Sequence, residues 1–216
     1  MRYFDPTPHS PTEPTVQVIV GTSQAILDRI GPRRVADLLH PWEEGRASRL
    51  RRATDRDDLR ASHALARLMA AWSVGLTARQ VGPHSLRQDC PDCGSPQHGR
   101  PRTPGLDATV RWAHADGLVA VACATGTEVP LGCDAEWEEA VPPVWRGREL
   151  TLPQWCRIEC EVKAGLGSLD ERLAALAAGH ETTTALAWTE QTVQLPQGDA
   201  QLTVLAPQPA LVTAWT

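Results

Sequence analysis

Two short stretches place carboxylates where they would crowd one another. In "GCDAEW" (132–137), Asp134 and Glu136 are two residues apart, so on a strand both side chains leave the same face. Anions that close repel each other, and a hard divalent cation such as Mg2+, bound through oxygen, relieves the repulsion. In "WCRIECEVKAG" (155–165), Glu159 and Lys163 stand one helical turn apart, and Lys163 is the only lysine of the chain. As an exposed i, i+4 ion pair they would contribute roughly a few tenths of a kcal/mol. Trp155, Ile158, Val162 and Leu166 form one apolar stripe, however, and the pair lies at its rim, where a carboxylate can be aimed at a neighbouring strand. Asp134, Glu136 and Glu159 are therefore the expected Mg2+ ligands, with water and a substrate phosphate completing the octahedron. Lys163 suits that phosphate as a mobile point charge. The plainer alternative is two solvated acids at a strand end and a surface ion pair.

Three further groups could bear on chemistry. His114, in "RWAHADG", falls between a strand and a turn, where a lone histidine is more often structural. The segment "CPDCGSPQHG" offers Cys90, Cys93 and His98 with C-x2-C-x4-H spacing as three zinc ligands, and no clear fourth is nearby. From Arg46 to Arg67 there are seven arginines, tempered by Asp55, Asp57 and Asp58. Such a run is usually a solvated helix face; it could also wall a polyanionic ligand.

The elements that would hold these residues alternate between helix and strand. "VQVIV" (16–20) reads as a buried strand, and "SQAILDRIGPRRVADLLH" as helix interrupted by Gly-Pro. The arginine-rich stretch predicts two helices, the second with Leu65, Leu68 or Met69, and Trp72 on one face and ending near Gly75. Residues 90–105 read as a long loop. "ATVRWAHADG", "LVAVACAT" and "VPLGCDAEW" read as strands, with the "GTE" turn expected to make a hairpin of the last two. In the helix carrying Lys163, Arg157 and Glu161 are expected to face outward as a pair. Ser168 and Glu171 form a capping box for "LDERLAALAA", which ends at Gly179, and the tail is strand-rich. The expected organisation is a lead over 1–15, a mixed α/β half over 16–108 and a second over 109–216 that carries the metal acids.

Composition is that of a globular chain: 216 residues, 42% hydrophobic, 22% charged, with eight Trp against one Phe and one Tyr. A formal net charge of −5 argues against bulk nucleic-acid binding. No run of 18 apolar residues occurs, so no membrane span is expected. The first 15 residues have no apolar core and are expected to be a poorly ordered lead rather than a signal peptide, which places the protein in the cytoplasm. The six cysteines are accordingly expected as free thiols.

Taken in order, "ASHALARLMAA", "CPDCGSPQHGRP", "RWAHADG", "LGCDAEW" and "WCRIECEVKAGLGSL" resemble the motifs of the surfactin-type 4'-phosphopantetheinyl transferases of the actinobacterial kind. The resemblance covers roughly residues 40–170. It implies an α+β fold of two similar α/β halves related by a pseudo-twofold axis, in one monomeric chain, with coenzyme A bound between the halves. The implied reaction moves the phosphopantetheine arm of coenzyme A onto a serine of an acyl or peptidyl carrier protein and releases 3',5'-ADP. By the same resemblance Asp134, Glu136 and Glu159 hold Mg2+, and Lys163 touches the pyrophosphate or the pantetheine-side phosphate. His114 and Arg67 contact the phosphates, the 3'-phosphate among them, with Arg46 and Arg49 as further contacts to it. Arg100 and Pro101 match an element near the adenine. Either Glu159 or a metal-bound water would take the serine proton.

The chain departs from that pattern at Ala113 and Ala115, where the family has serines, at Ile158 in place of a lysine, at Cys160 in place of an alanine, and in having only eighteen residues, 137–154, between Glu136 and Trp155. These departures motivate an alternative: a member of the fold that binds coenzyme A or a carrier protein in a biosynthetic pathway without transfer. A third possibility is a zinc-stabilised interaction module in which residues 90–98 matter and the acids do not.

Overall fold

The computed structural model describes residues 16–90, 93–95, 97–180 and 184–216. The lead expected over 1–15 lies outside the described residues. The apolar run "VQVIVGT" forms strand β1 (Val16–Thr22), and the Thr22 side chain, accepting from Ala25 N, caps helix α1 (Ser23–Ile30). Gly31, at φ 85, and Pro32 end that helix and start α2 (Pro32–Leu38), the break expected from the Gly-Pro pair. The arginine-rich stretch holds one helix and not the two expected: α3 (Pro41–Ala47) ends as the stretch begins, and α4 (Ala53–Ser73) takes the rest. From Asp58 to Ala71 the residues of α4 are buried on nearly every side, so this is a central helix and not a solvated arginine face.

Residues 90–105 are not one open loop. Strands β2 (Arg87–Asp89) and β3 (Arg100–Arg102) pair antiparallel, so a two-stranded ladder brackets Cys90 and Gly99. Strands β4 (Ala108–Ala115) and β5 (Leu118–Thr125) form the hairpin, not β5 and its successor as "GTE" predicted. Its two-residue turn, Asp116–Gly117, has φ values of 49° and 88°, a geometry whose twist matches that of the flanking strands. β6 (Gly132–Trp137) leaves this sheet and pairs with the later β8 (Gly198–Ala206), which also pairs with β7 (Ala187–Leu195). Between them lie helices α5 (Leu152–Ala164) and α6 (Leu169–Ala177). The last strand, β9 (Ala210–Trp215), returns to pair parallel with β1.

The result is a mixed α+β arrangement with sheets ordered β4-β5-β1-β9 and β6-β8-β7. β1 shares its sheet with three strands that lie at or beyond residue 108. The two sheets pack through small and branched residues, among them Val18, Val20, Ala120, Ala122, Cys133, Ala135, Leu202 and Val204. The opposite face of the first sheet, with Ile19, Val110, Val119 and Val121, is covered by Ile26 of α1 and Leu65 and Met69 of α4. The opposite face of the second receives α5, where Cys160 and Ala164 meet Leu205. Layers thus run helix, sheet, sheet, helix. Among the described residues no helix is long and apolar enough to cross a membrane.

Candidate functional site

The site is built where β6 meets α5. Helix α5 begins with a capping box, Thr151 with Gln154, and ends at Gly165 with φ 87°. Its approach to β6 is set by Gly132, where a Cβ would collide with the Cys160 carbonyl. A side chain at 132 would lever helix from strand; its absence lets Asp134, next on that face, point directly at the helix. The other face of β6, Cys133 and Ala135, is spent on the core between the sheets.

This contact brings Asp134, Glu159 and Lys163 together. Lys163 Nζ donates to Asp134 Oδ1 at 2.7 Å and lies 3.6 Å from Glu159 Oε2. Asp134 is only 4% exposed; its Oδ2 is buried with no nitrogen or oxygen donor among the described residues, and the Cys156 thiol of α5 is directed at the carboxylate. Burial raises the Glu159 pKa, with Lys163 opposing and Asp134 adding to the rise. Burial also raises Glu136, to about 7, and the Asp134 charge adds to it while Lys163 and a bond with Trp155 work against it. Burial alone would lower Lys163, but Asp134 and Glu159 outweigh it and hold the ammonium charged. Asp134 and Glu159 therefore share one ammonium, whose charge also reaches Glu136 and offsets in part the repulsion among the three carboxylates.

The acids supply the hard oxygen donors a divalent cation needs, but among the described residues the ligand atoms of Asp134, Glu136 and Glu159 do not all lie within 4.8 Å of one another, so Glu136 would have to turn toward the other two to close on an ion. A buried carboxylate oxygen met only by a thiol is weakly satisfied, and burial first, then the Asp134 charge, disfavours the ionised form of Glu136, so added positive charge would relieve both. The Glu136 shift has a consequence for stability. Its carboxyl takes up its proton more readily in the fold, at about 7, than at its ordinary value of 4.5. The fold thus binds more protons between these values, and its contribution to stability is full below 4.5 and lost as pH rises through about 7. Urea denaturation without divalent ions should show Glu136→Gln gaining stability over the native chain as pH rises from 5 to 8. A pH-independent difference would remove the burial effect from Glu136.

The cationic residues divide. His114, at the end of β4, keeps some exposed surface, yet burial of its ring, and then the charges of His63, Lys163 and Arg46, pull its pKa down to about 4, so it stands as a neutral imidazole. Arg46 is exposed on the last turn of α3 and donates to the Gln97 carbonyl at 3.1 Å. Arg49, just beyond, has its side chain in solvent. Arg100 packs where a Gly165 Cβ would stand, so β3 rests on the end of α5. Pro101 accepts from Arg111 Nη1 at 3.5 Å.

Arg67 is a correction: it is not available to a phosphate. Its guanidinium is fully buried and donates from Nη2 to both Glu43 oxygens at 2.8 and 3.0 Å, from Nη1 to the His63 carbonyl at 3.0 Å, and to the Pro83 carbonyl. Glu43 also lies 2.6 Å from His63 Nδ1. The Arg157–Glu161 pair is a second correction. Arg157 is bidentate to Glu190 of β7 at 2.6 and 2.8 Å, and Glu161 is buried.

Arg111 was not foreseen. It is 6% exposed, and its Nε and Nη1 donate to the carbonyls of Lys163, at 2.9 Å, and Val110, at 2.7 Å. It thereby satisfies the last turn of α5. Burial, and then the charges of Arg100 and Arg102, pull its pKa down to about 10. Beside it opens a cavity of about 650 Å3 lined by Arg87, Arg102, Arg111, Pro101, Thr103 and Thr127, among others. Nothing in the alternation of "ATVRWAHA" marks one arginine as buried. No family model matches the chain, and no curated protein matches it either.

Proposed function

We propose that the chain transfers the phosphopantetheine arm of coenzyme A to a carrier-protein serine, with a divalent cation held by Asp134, Glu136 and Glu159. The observation that carries this reading is the meeting of the buried Asp134, on β6, with Glu159 and Lys163, on α5. That convergence is what the motif resemblance demands of two segments distant in sequence. When bound, the cation would polarise phosphate oxygens and stabilise the leaving 3',5'-ADP.

The remaining work falls to side chains. Lys163, whose ammonium donates to Asp134 in this structure, would offer its other N–H donors to a phosphate of the diphosphate bridge. Glu159 is positioned to take the serine proton, and burial raises its pKa in the direction a general base needs. With Arg67 withdrawn, Arg46 is the cation left to meet the 3'-phosphate, with Arg49 beside it, while His114, whose pKa is pulled down to about 4, would meet a phosphate only as a neutral hydrogen-bond donor. Pro101 and Arg111 line the open cavity, which would seat the nucleotide end. The reaction is one of positioning and charge, with the protein supplying no covalent intermediate. A cytoplasmic monomer remains the expected setting.

Incubation of the chain with coenzyme A, Mg2+ and a panel of apo carrier proteins, followed by intact-mass spectrometry, tests the reading. The expected product is a carrier heavier by one phosphopantetheine. Unmodified carriers throughout, beside a folded chain, would discard transfer in favour of a protein that binds coenzyme A or a carrier only.

A further inference from the structure

Cys90, Cys93 and His98 lie outside the acid and lysine cluster, at the tip of the β2–β3 hairpin. Among the described residues they are the one set of three candidate metal-ligating side chains whose donor atoms all fall within 4.8 Å of one another. Cys93 Sγ is 3.3 Å from a His98 ring nitrogen, Nε2. Tetrahedral Zn2+, with bonds of about 2.3 Å to sulfur and about 2.0 Å to nitrogen, sets its ligand atoms roughly 3.5–3.8 Å apart. The side chains need only small shifts to close on an ion.

The backbone already holds them in place. Gly94 N donates to the Cys90 carbonyl at 2.9 Å and Cys90 N to the Ser95 carbonyl at 3.1 Å, a turn that brings Cys93 back over Cys90. The pairing of Asp89 with Arg100 draws the far end of the segment alongside, and His98 with it. Cys90 is buried while Cys93 and His98 are exposed, so an ion here would have one dry side and one open to water. All six cysteines are free.

We propose that Cys90, Cys93 and His98 bind one Zn2+ ion as two thiolates and a neutral imidazole, with water in the fourth position. Binding releases both thiol protons to solvent and changes no oxidation state. The ion ties the two ends of the hairpin tip together. The strand that leaves the tip carries Arg100 onto Gly165 and Pro101 onto Arg111, so the same closure steadies the cationic edge of the site. This metal is separate from the cation of the acid cluster, whose ligands are all oxygen, and the proposal stands whether or not the chain transfers phosphopantetheine.

The test uses the full chain, purified with reductant, stripped by chelator, and titrated first with Co2+ and then with Zn2+. Thiolate-to-cobalt charge-transfer absorption and tetrahedral visible bands should grow to about one equivalent and bleach as Zn2+ displaces Co2+. Cys93→Ser should weaken Zn2+ binding at least about tenfold and shrink the charge-transfer band, and His98→Ala should weaken binding while leaving that band in place. Both residues are exposed, so circular dichroism should be unchanged, and if one variant fails to fold the other decides. Absence of a charge-transfer band in the reduced chain, or Zn2+ affinity unaltered in both variants, would overturn the assignment.

Discussion

Asp134→Asn is expected to lower phosphopantetheinyl transfer by at least about 100-fold while leaving the chain folded. The native carboxylate has two unlike oxygens: one accepts from Lys163 at 2.7 Å, and the other is buried with no nitrogen or oxygen donor among the described residues, the Cys156 thiol alone being directed at the group. Asparagine keeps the shape and can still offer Lys163 its carbonyl oxygen. The second position then holds an amide N–H2, a donor that repels a cation where the oxygen attracted one. Lys163 retains Glu159 at 3.6 Å, and at 25% side-chain exposure it can also turn toward water, so the cost to stability is small. Activity and folding should therefore separate, as rates measured by carrier mass and unfolding followed in urea can show. Full transfer by the variant would remove Asp134 from the mechanism.

Arg67→Met should do the opposite. Its guanidinium is 0% exposed and ties α3 to α4 and to the turn at Pro83. Removing it strands Glu43, itself 2% exposed, without its cation. Burial raises the Glu43 pKa, and the opposing lowering by the His63 bond and the Arg67 charge is larger, so this carboxylate is held ionised partly by the residue to be deleted. Breaking such a pair costs about 3–5 kcal/mol. Urea unfolding should show a loss of that order, and adding Glu43→Gln to Arg67→Met should recover part of it. A fully stable Arg67→Met chain with weakened coenzyme A binding would restore the phosphate role expected from the resemblance.

The contrast between these two residues shows what local pattern reveals. Asp134, Glu159 and Lys163 were legible because strand alternation and helical spacing fix which way each side chain leaves its element, and burial then aims them at each other. The capping box of α6 and the Gly-Pro break after α1 were legible for the same local reason. Strand pairing is not local: β6 found its partner in β8, and the Asp116–Gly117 turn outcompeted "GTE" for the hairpin because its backbone suits a two-residue connection. Arg67 and Glu161 carry charges that sequence places at a surface. Whether such a charge is buried depends on partners elsewhere, here Glu43 on α3 in the case of Arg67. One signal was present. "ASHALARLMAA" is apolar around most of its circumference, the mark of a helix enclosed on all sides, and an arginine within it has little solvent to reach.

The acids and lysine at β6 and α5 matter only if they take a cation in common. Manganese, a spectroscopic substitute for Mg2+, can be titrated into the chain with coenzyme A present and followed by electron paramagnetic resonance. One Mn2+ should bind in the native chain, with Asp134→Asn and Glu159→Gln each losing it. Native chain and both variants giving the same free-ion signal would show that no ion is held there.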